Sequence, residues 1–377
     1  MDKIGKKCVE MGEHLHTYKG IVKVMPLAMV DDLLGIARCG GESVDLNSVI
    51  NSRIEMKKVK FHTPNENGKS KCHTLHVGKQ NECPHLKVHG CPMEKVSSDT
   101  YLGDIISNDG RNKLNIESRV AKGLGRVSQI MGVLKSVSFG VHFFEIARTL
   151  RESILINGML TNCEVWYGLT ENEVSQLEEI DRLLLRQIMN VPSSCPTEAL
   201  YLELGCVPVS LIIKSRRVNY LHHLVNIDEN EMLSKFFKAQ WNFPAKKNDW
   251  TEQARADLIE LGLDEELSWF EKKSKQSFKK LVKEQVKELA LMRLNEIKAG
   301  HSKMANVEYA SLDMQEYLKN MEINTTQAKI LFWFRTRMAK FSDNFKGGKP
   351  TKMCPVCKSS TDVQEHSFEC KGLKKFR

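Results

Sequence analysis

The apolar positions change their period as the chain is read from its start. Residues 21–37 run IVKVMPLAMVDDLLGIA, two short apolar runs either side of a pair of aspartates, with Gly20 behind and Gly40-Gly41 ahead. That pattern predicts a β-hairpin. Pro26 has no N–H to give to a ladder and fits only an edge or a strand start. In residues 57–104 short apolar runs mix with Gly, Pro and Asn and show no helical period, which predicts short strands and loops.

After Asp109-Gly110 the period becomes helical. Ile116, Val120, Leu124, Val127, Ile130 and Leu134 recur at three- and four-residue spacing, and a second helix is expected over about residues 141–167. The third has the clearest start: Thr170 and Glu173 form a capping box ahead of Val174, Leu177, Ile180, Leu184 and Ile188. Pro192 stops it. A short helix led by Pro196 and ended by Gly205, and a longer one over residues 211–225, complete a helical block. Residues 242–249, with Pro244 and adjacent lysines, read as a linker. Helices are then expected over 267–297, 314–321 and 326–341, before Gly347, Gly348 and Pro350 break the pattern. The fold class is α+β, mainly α.

A chain of 377 residues with 41% hydrophobic content can build two or three packed domains. Its net charge of +9 is concentrated: residues 272–303 carry ten basic side chains against three acidic ones. A polyanionic partner and a solvated helix face with a lysine excess explain this equally well. The eleven cysteines are odd in number, and no charged-then-apolar signal segment opens the chain. A reducing compartment, nucleus and/or cytoplasm, is therefore expected rather than secretion. No apolar run approaches the ~20 residues that cross a bilayer.

Adjacent carboxylates at a hairpin tip are unusual, since such turns favour Asn-Gly or Asp-Gly. Asp31 and Asp32 repel one another unless a cation offsets them, and Mg²⁺ suits such ligands, usually alongside substrate phosphates. Alone, the pair is more often a solvated acidic turn. The apolar-apolar-Asp-Asp hairpin is similar to the palm signature of reverse transcriptases, with Met29 where the family usually has an aromatic. Downstream, Lys71 in GKSKCHTLHVG resembles the lysine-bearing segment near the incoming nucleotide. Tyr101-Leu102-Gly103 in DTYLGDIIS resembles the primer-grip turn, with ISNDGRNKLNIESRVAKG and a helical thumb after it. Order and spacing resemble a retrotransposon of the non-long-terminal-repeat (non-LTR) type, and EVWYGL and YLELGCVPVSLIIKSRRVNYL extend the likeness less specifically.

The resemblance implies a partial palm of short antiparallel strands over 1–110, a helical thumb and connection over 111–240, a basic helical region over 250–345 and a zinc module over 350–377. It also implies RNA-directed DNA polymerase activity, with Asp31 and Asp32 holding Mg²⁺, Lys71 near the triphosphate, and Tyr101, Leu102 and Gly103 positioning the primer end. Residues 1–20 offer Asp2 as their sole aspartate, too near the terminus to supply the further catalytic carboxylate of a palm. Mg²⁺ binding is therefore expected to be weak, and polymerisation by this chain alone is not expected.

Cys354, Cys357, His366 and Cys370 give C-x2-C-x8-H-x3-C, four soft ligands able to close a tetrahedron around Zn²⁺. Lys352, Lys358, Lys371, Lys374 and Lys375 surround them and suit phosphate. This resembles the C-terminal zinc motif of non-LTR proteins, thought to bind nucleic acid. A second group, Cys72, His73, Cys83, His85 and Cys91, has irregular spacing and reads as partly buried thiols in strands, with zinc a lesser alternative. Lys214, Arg216 and Arg217, and Lys279, Lys280 and Lys283, are the basic groups assigned to a template-primer of RNA and DNA. Trp269 and Trp333 sit at helical spacing and read as core. The leading expectation is a retroelement polymerase fragment that binds nucleic acid. The alternatives are a domesticated, non-catalytic DNA- or RNA-binding zinc protein and an inert remnant.

Overall fold

A computed structural model describes residues 16–18, 22–24, 27–29, 32–37, 40–58, 61, 70–78, 84–136, 142–242, 249–271, 273–300, 304, 307–344 and 353–376. Among these residues helices predominate, with ten strands of two to four residues. The chain divides into two compact units, residues 1–115, 166–168 and 221–255 forming one, and 116–165, 169–220 and 256–377 the other.

The first unit holds all the strands, arranged as two-stranded sheets. β1 (His16–Tyr18) and β2 (Val22–Val24) pair antiparallel, as do β3 (Leu27–Met29) and β4 (Asp32–Leu34), whose register sets Met29 opposite Asp32. The expected hairpin is therefore present. Helix α1 (Gly40–Lys57) follows where no element was anticipated. Leu46 and Ile54 are its buried residues, and Asn47 and Asn51 both donate to the Lys87 carbonyl on β6 (Lys87–Val88). β5 (His73–Leu75) runs parallel to β8 (Glu94–Val96), a pairing that needs a crossover, and the β6 hairpin with β7 (Cys91–Pro92) occupies it.

β9 (Ser98–Tyr101) and β10 (Asp104–Ser107) close a hairpin on the two-residue turn Leu102-Gly103. Both turn residues have positive φ, +48° and +88°, the geometry of a type I′ turn. Asn115 and Trp166 donate to the Asp104 carboxylate at 3.0 and 3.1 Å and so hold the turn end of this hairpin. α7 (Met232–Asn242) packs against β2.

The second unit is helical. α2 (Lys113–Ser136) buries Ile116, Val127, Ile130 and Leu134 at the expected spacing. α3 (Phe143–Leu150) continues as a π-helical segment, Arg151–Ile156, and a closing turn, Asn157–Met159. α4 (Glu171–Met189) starts as expected: Glu173 N–H donates to Thr170 Oγ1, and Thr170 N–H donates back to the Glu173 carboxylate. Asn190 ends it in the left-handed region, ahead of Pro192.

α5 (Thr197–Leu204) also keeps its expected limits, Pro196 and Gly205. α6 (Val209–Asn226) and α8 (Trp250–Glu260) follow, with residues 209–220 and 256–260 in this unit; α7 and α8 were not anticipated as separate helices. The stretch expected as one basic helix is two, α9 (Leu267–Glu271) and α10 (Lys275–Ala299), because Ser274 adopts an extended cap and accepts from Ser277 N–H. α10 buries Phe278, Val282, Val286, Ala290 and Leu294, and it packs on α5. α11 (Glu316–Lys319) and α12 (Thr325–Arg335) complete the helical part, α12 carrying its own capping box between Asn324 and Gln327. Residues 243–248 of the expected linker, and Gly347, Gly348 and Pro350, lie outside the described residues.

α5 is the centre of this unit, with every residue from Ala199 to Leu204 buried. Arg151, 1% exposed, donates from Nε and Nη2 to both Asp181 oxygens at 2.6 Å, Nη2 also reaches the Val207 carbonyl, and Tyr201 O–H donates to Asp181. Burial alone would lower the Arg151 pKa; the Asp181 charge outweighs it and holds the guanidinium above its usual range. Two residues on, the fully buried Glu203 carboxylate accepts from Tyr309, Tyr317 and Arg335. Burial first, and the Glu203 charge second, push both tyrosines above their ordinary pKa.

Two stability predictions follow from α5. Asp181→Ala leaves the Arg151 charge buried and uncompensated, and should cost about 3–5 kcal/mol in denaturant unfolding, whereas Arg151→Met with Asp181→Leu should recover most of it. A single-mutant cost below about 1 kcal/mol would show that the pair is not anchoring the core. Gly205 sits at φ +63°, and a Cβ there would lie 2.3 Å from Met314 N and 2.5 Å from Asp313 C. Gly205→Ala should therefore destabilise by more than the ~1 kcal/mol of left-handed strain alone, read as a lowered unfolding midpoint.

Candidate metal centre

The C-terminal ligands are assembled by two local devices. In residues 353–361 Cys354 N–H donates to the Ser360 carbonyl at 2.7 Å, Met353 bridges Thr361, and Lys358 N–H returns to the Cys354 carbonyl at 2.9 Å. This fold-back sets Cys354 and Cys357 on one turn. α13 (Gln364–Glu369) supplies His366, and Cys370 N–H donates to the His366 carbonyl at 2.8 Å, one helical turn on.

The four ligand atoms of Cys354, Cys357, His366 and Cys370 lie within 4.8 Å of one another, and no other such group of three or more occurs among the described residues. Cys354 Sγ and Cys370 Sγ are 3.8 Å apart. That is the edge of a tetrahedron with metal–sulfur bonds of about 2.3 Å. Cys357 Sγ and His366 Nε2 are 3.2 Å apart, a little inside the edge of about 3.6 Å expected for a sulfur–nitrogen pair. Hydrogen bonds from the side chain and backbone of Ser359 pull the Cys357 thiol down to about 6, towards the thiolate a metal requires. Burial pushes the Cys370 thiol up. These four residues can hold a metal ion, and four protein ligands leave no open position, the form of a structural site.

The loop is fastened to the end of α12. Gln364, buried, donates to the Phe334 carbonyl at 2.8 Å and accepts from Asn344 at 2.9 Å. Arg337 bonds both Asp343 and Glu365, and the Phe368 ring lies 5.7 Å from Phe334. These mounting residues carry no sequence signature, because most of the partners lie 20 to 30 residues apart along the chain.

The residues expected from the polymerase resemblance fall in the first unit. Asp31 lies outside the described residues; Asp32 opens β4. Lys71 is exposed two residues before β5, and His73 Nδ1 bonds Asp99 on β9 at 2.9 Å, which fastens the lysine segment to the Tyr101 hairpin. Leu102 is 46% exposed at the turn, in a conformation that glycine or asparagine adopts with less strain.

Of the second cysteine group, Cys72 and Cys91 are half-buried, His85 is exposed, and Cys83 lies outside the described residues. Burial raises the Cys72 thiol.

The basic groups part company. Arg217 is 5% exposed and paired with Asp257 at 2.6 Å; Lys214 bonds Glu260 at 2.7 Å; Arg216 bonds the Leu160 carbonyl and Asn157. These three cations, expected to face nucleic acid, are engaged within the second unit. Lys279, Lys280 and Lys283 stand exposed on α10, with Lys275. Trp269 packs edge-on against Phe270 and Phe278. Among the described residues no helix is long and apolar enough to cross a membrane.

The cage predicts about one bound metal per chain by elemental analysis. Cys357→Ser should lower that content severalfold, and chelation of the wild type should lower its thermal midpoint. Full metal content in the variant would show that the four residues do not act as one site.

No family model, curated protein or solved structure matches this chain.

Proposed function

We propose that this chain is a part of a non-LTR retroelement reverse transcriptase whose own activity is nucleic-acid binding, with Zn²⁺ held by Cys354, Cys357, His366 and Cys370. The observation that carries it is the Cys3His cage at the C-terminal end, with exposed Lys358, Lys371 and Lys374 around it. Sulfur-rich, closed coordination favours zinc over harder ions. Zinc would fix the fold of a segment too short to bury a core, and the lysines would meet phosphate.

Two hairpins support the polymerase ancestry. β3–β4 sets Asp32 at its turn, and β9–β10 exposes Leu102 on a strained turn tied through β5 to the Lys71 segment. In this reading Asp31 and Asp32 are the Mg²⁺ carboxylates, Lys71 the residue nearest a triphosphate, and Tyr101, Leu102 and Gly103 the primer-facing turn. The exposed lysines of α10 add sequence-independent attraction for RNA or DNA.

The second reading is a non-catalytic nucleic-acid-binding zinc protein. It is favoured by the contrast between four zinc ligands brought together at Cys354, Cys357, His366 and Cys370 and the lack of any carboxylate metal cluster among the described residues.

The zinc-loaded chain should bind fluorescent RNA or DNA with an affinity that falls steeply between about 50 and 200 mM salt. Absence of binding at the lower salt would refute the reading. With Mg²⁺ and deoxynucleoside triphosphates it should not extend a primer on an RNA template; measurable extension would establish a working polymerase and remove the non-catalytic alternative. Unchanged affinity after Cys354→Ser plus Cys357→Ser would exclude the zinc module as the binding element.

A further inference from the structure

Two features of the metal loop are not explained by holding a metal. Lys358 closes the turn between the first ligand pair and the rest of the loop at φ +57°, where glycine fits without strain and a side chain carries a modest strain. Its backbone N–H does the structural work, bonding the Cys354 carbonyl, while its side chain stands exposed. A glycine would serve the cage better, so the lysine side chain is the part that needs another explanation.

The second feature is Phe368, two residues from His366 and two from Cys370, and 62% exposed. Phe334 lies behind it at 5.7 Å and Phe341 behind that at 5.6 Å, and the outer side of the ring stays open to solvent. Val356 and Met353 are also exposed, and Val356 lies against Gly372, next to Lys371. Of the nearby carboxylates, Glu365 is taken by Arg337, while Lys358, Lys371 and Lys374 all stand exposed. An exposed aromatic face in a loop that also carries exposed lysines matches an unpaired base with its phosphates. A duplex, whose bases are already stacked, offers no face to the ring.

We propose that the zinc module binds single-stranded nucleic acid, with one base stacked on Phe368 and the flanking phosphates met by Lys358, Lys371 and Lys374. This rests on the nucleic-acid-binding reading above and names the form of nucleic acid that the module takes.

The test uses the zinc-loaded full chain and fluorescence anisotropy, with a single-stranded oligonucleotide of about twelve nucleotides and the same sequence as a duplex. The module should contribute a preference for the single strand. Phe368→Ala should weaken single-strand binding on the order of tenfold while Phe368→Trp retains it. Lys358→Gly should keep its zinc content and melt no lower than the wild type. It should nevertheless bind more weakly, with the slope of log affinity against log salt reduced by about 0.7. Equal binding of both probes by the wild type, or wild-type affinity in both Phe368→Ala and Lys358→Gly, would overturn the proposal. If the loss appeared instead in Lys279→Ala with Lys280→Ala and Lys283→Ala, binding would lie on α10 and the broader reading would survive. A wild type that bound neither probe would remove both.

Discussion

The buried pair between Arg151 and Asp181 is the constraint on which the helical unit depends. Two charges at 1% and 0% exposure are costly to remove from water, and attraction offsets that cost only when every donor and lone pair is used. Here the guanidinium makes a two-point contact with the carboxylate and a third bond to Val207, and Tyr201 completes Asp181. The geometry fixes α3, α4 and α5 relative to one another more narrowly than apolar packing does, because a small slip would leave a buried charge unpaired. The π-helical segment begins at Arg151 itself. Such segments often mark positions where a helix has been adjusted to aim one side chain.

α5 extends the same logic to the C-terminal half of the unit. Tyr201 faces the Arg151 pair and Glu203 collects Tyr309, Tyr317 and Arg335, so one eight-residue helix carries two polar networks in an otherwise apolar surround. Arg335 lies on α12, and the carbonyl of its neighbour Phe334 receives Gln364 of the metal loop. The loop is therefore mounted on a helix that is itself tied to the core. A metal closing the loop from Cys354 to Cys370 adds its binding energy to a support already in place. What remains outward from that support is Lys358, Phe368 and the lysines, the part of the module free to meet a ligand.

The sequence was most informative where structure is set within a few residues. The Thr170–Glu173 capping box, the Pro196 and Gly205 limits of α5, and the Asn-free but aspartate-bearing hairpin at β3–β4 all have local causes, and each stands where its residues put it. The cysteine spacing was equally legible, since a turn and one helical step suffice to bring four ligands together. The helix α1 was missed although Leu46, Ile50 and Ile54 recur at four-residue intervals, because Ser, Asn and β-branched residues dilute the signal. The single helix expected over 267–297 is broken because Ser274 caps a new start, a cue masked by the lysines around it.

By itself, then, the sequence determined the helical character, the positions of the strongest helix ends and the candidate metal ligands, all through interactions between near neighbours. Only the tertiary structure decided what the charges do. Lys214, Arg216 and Arg217 read as a basic group on one helix, yet their partners Asp257, Glu260, Asn157 and Leu160 lie forty or more residues away and draw them inward. Lys279, Lys280 and Lys283, of the same residue class, remain exposed on α10. Whether a cation meets solvent or a buried carboxylate depends on chain segments that share no local pattern with it, and folding alone brings those segments together.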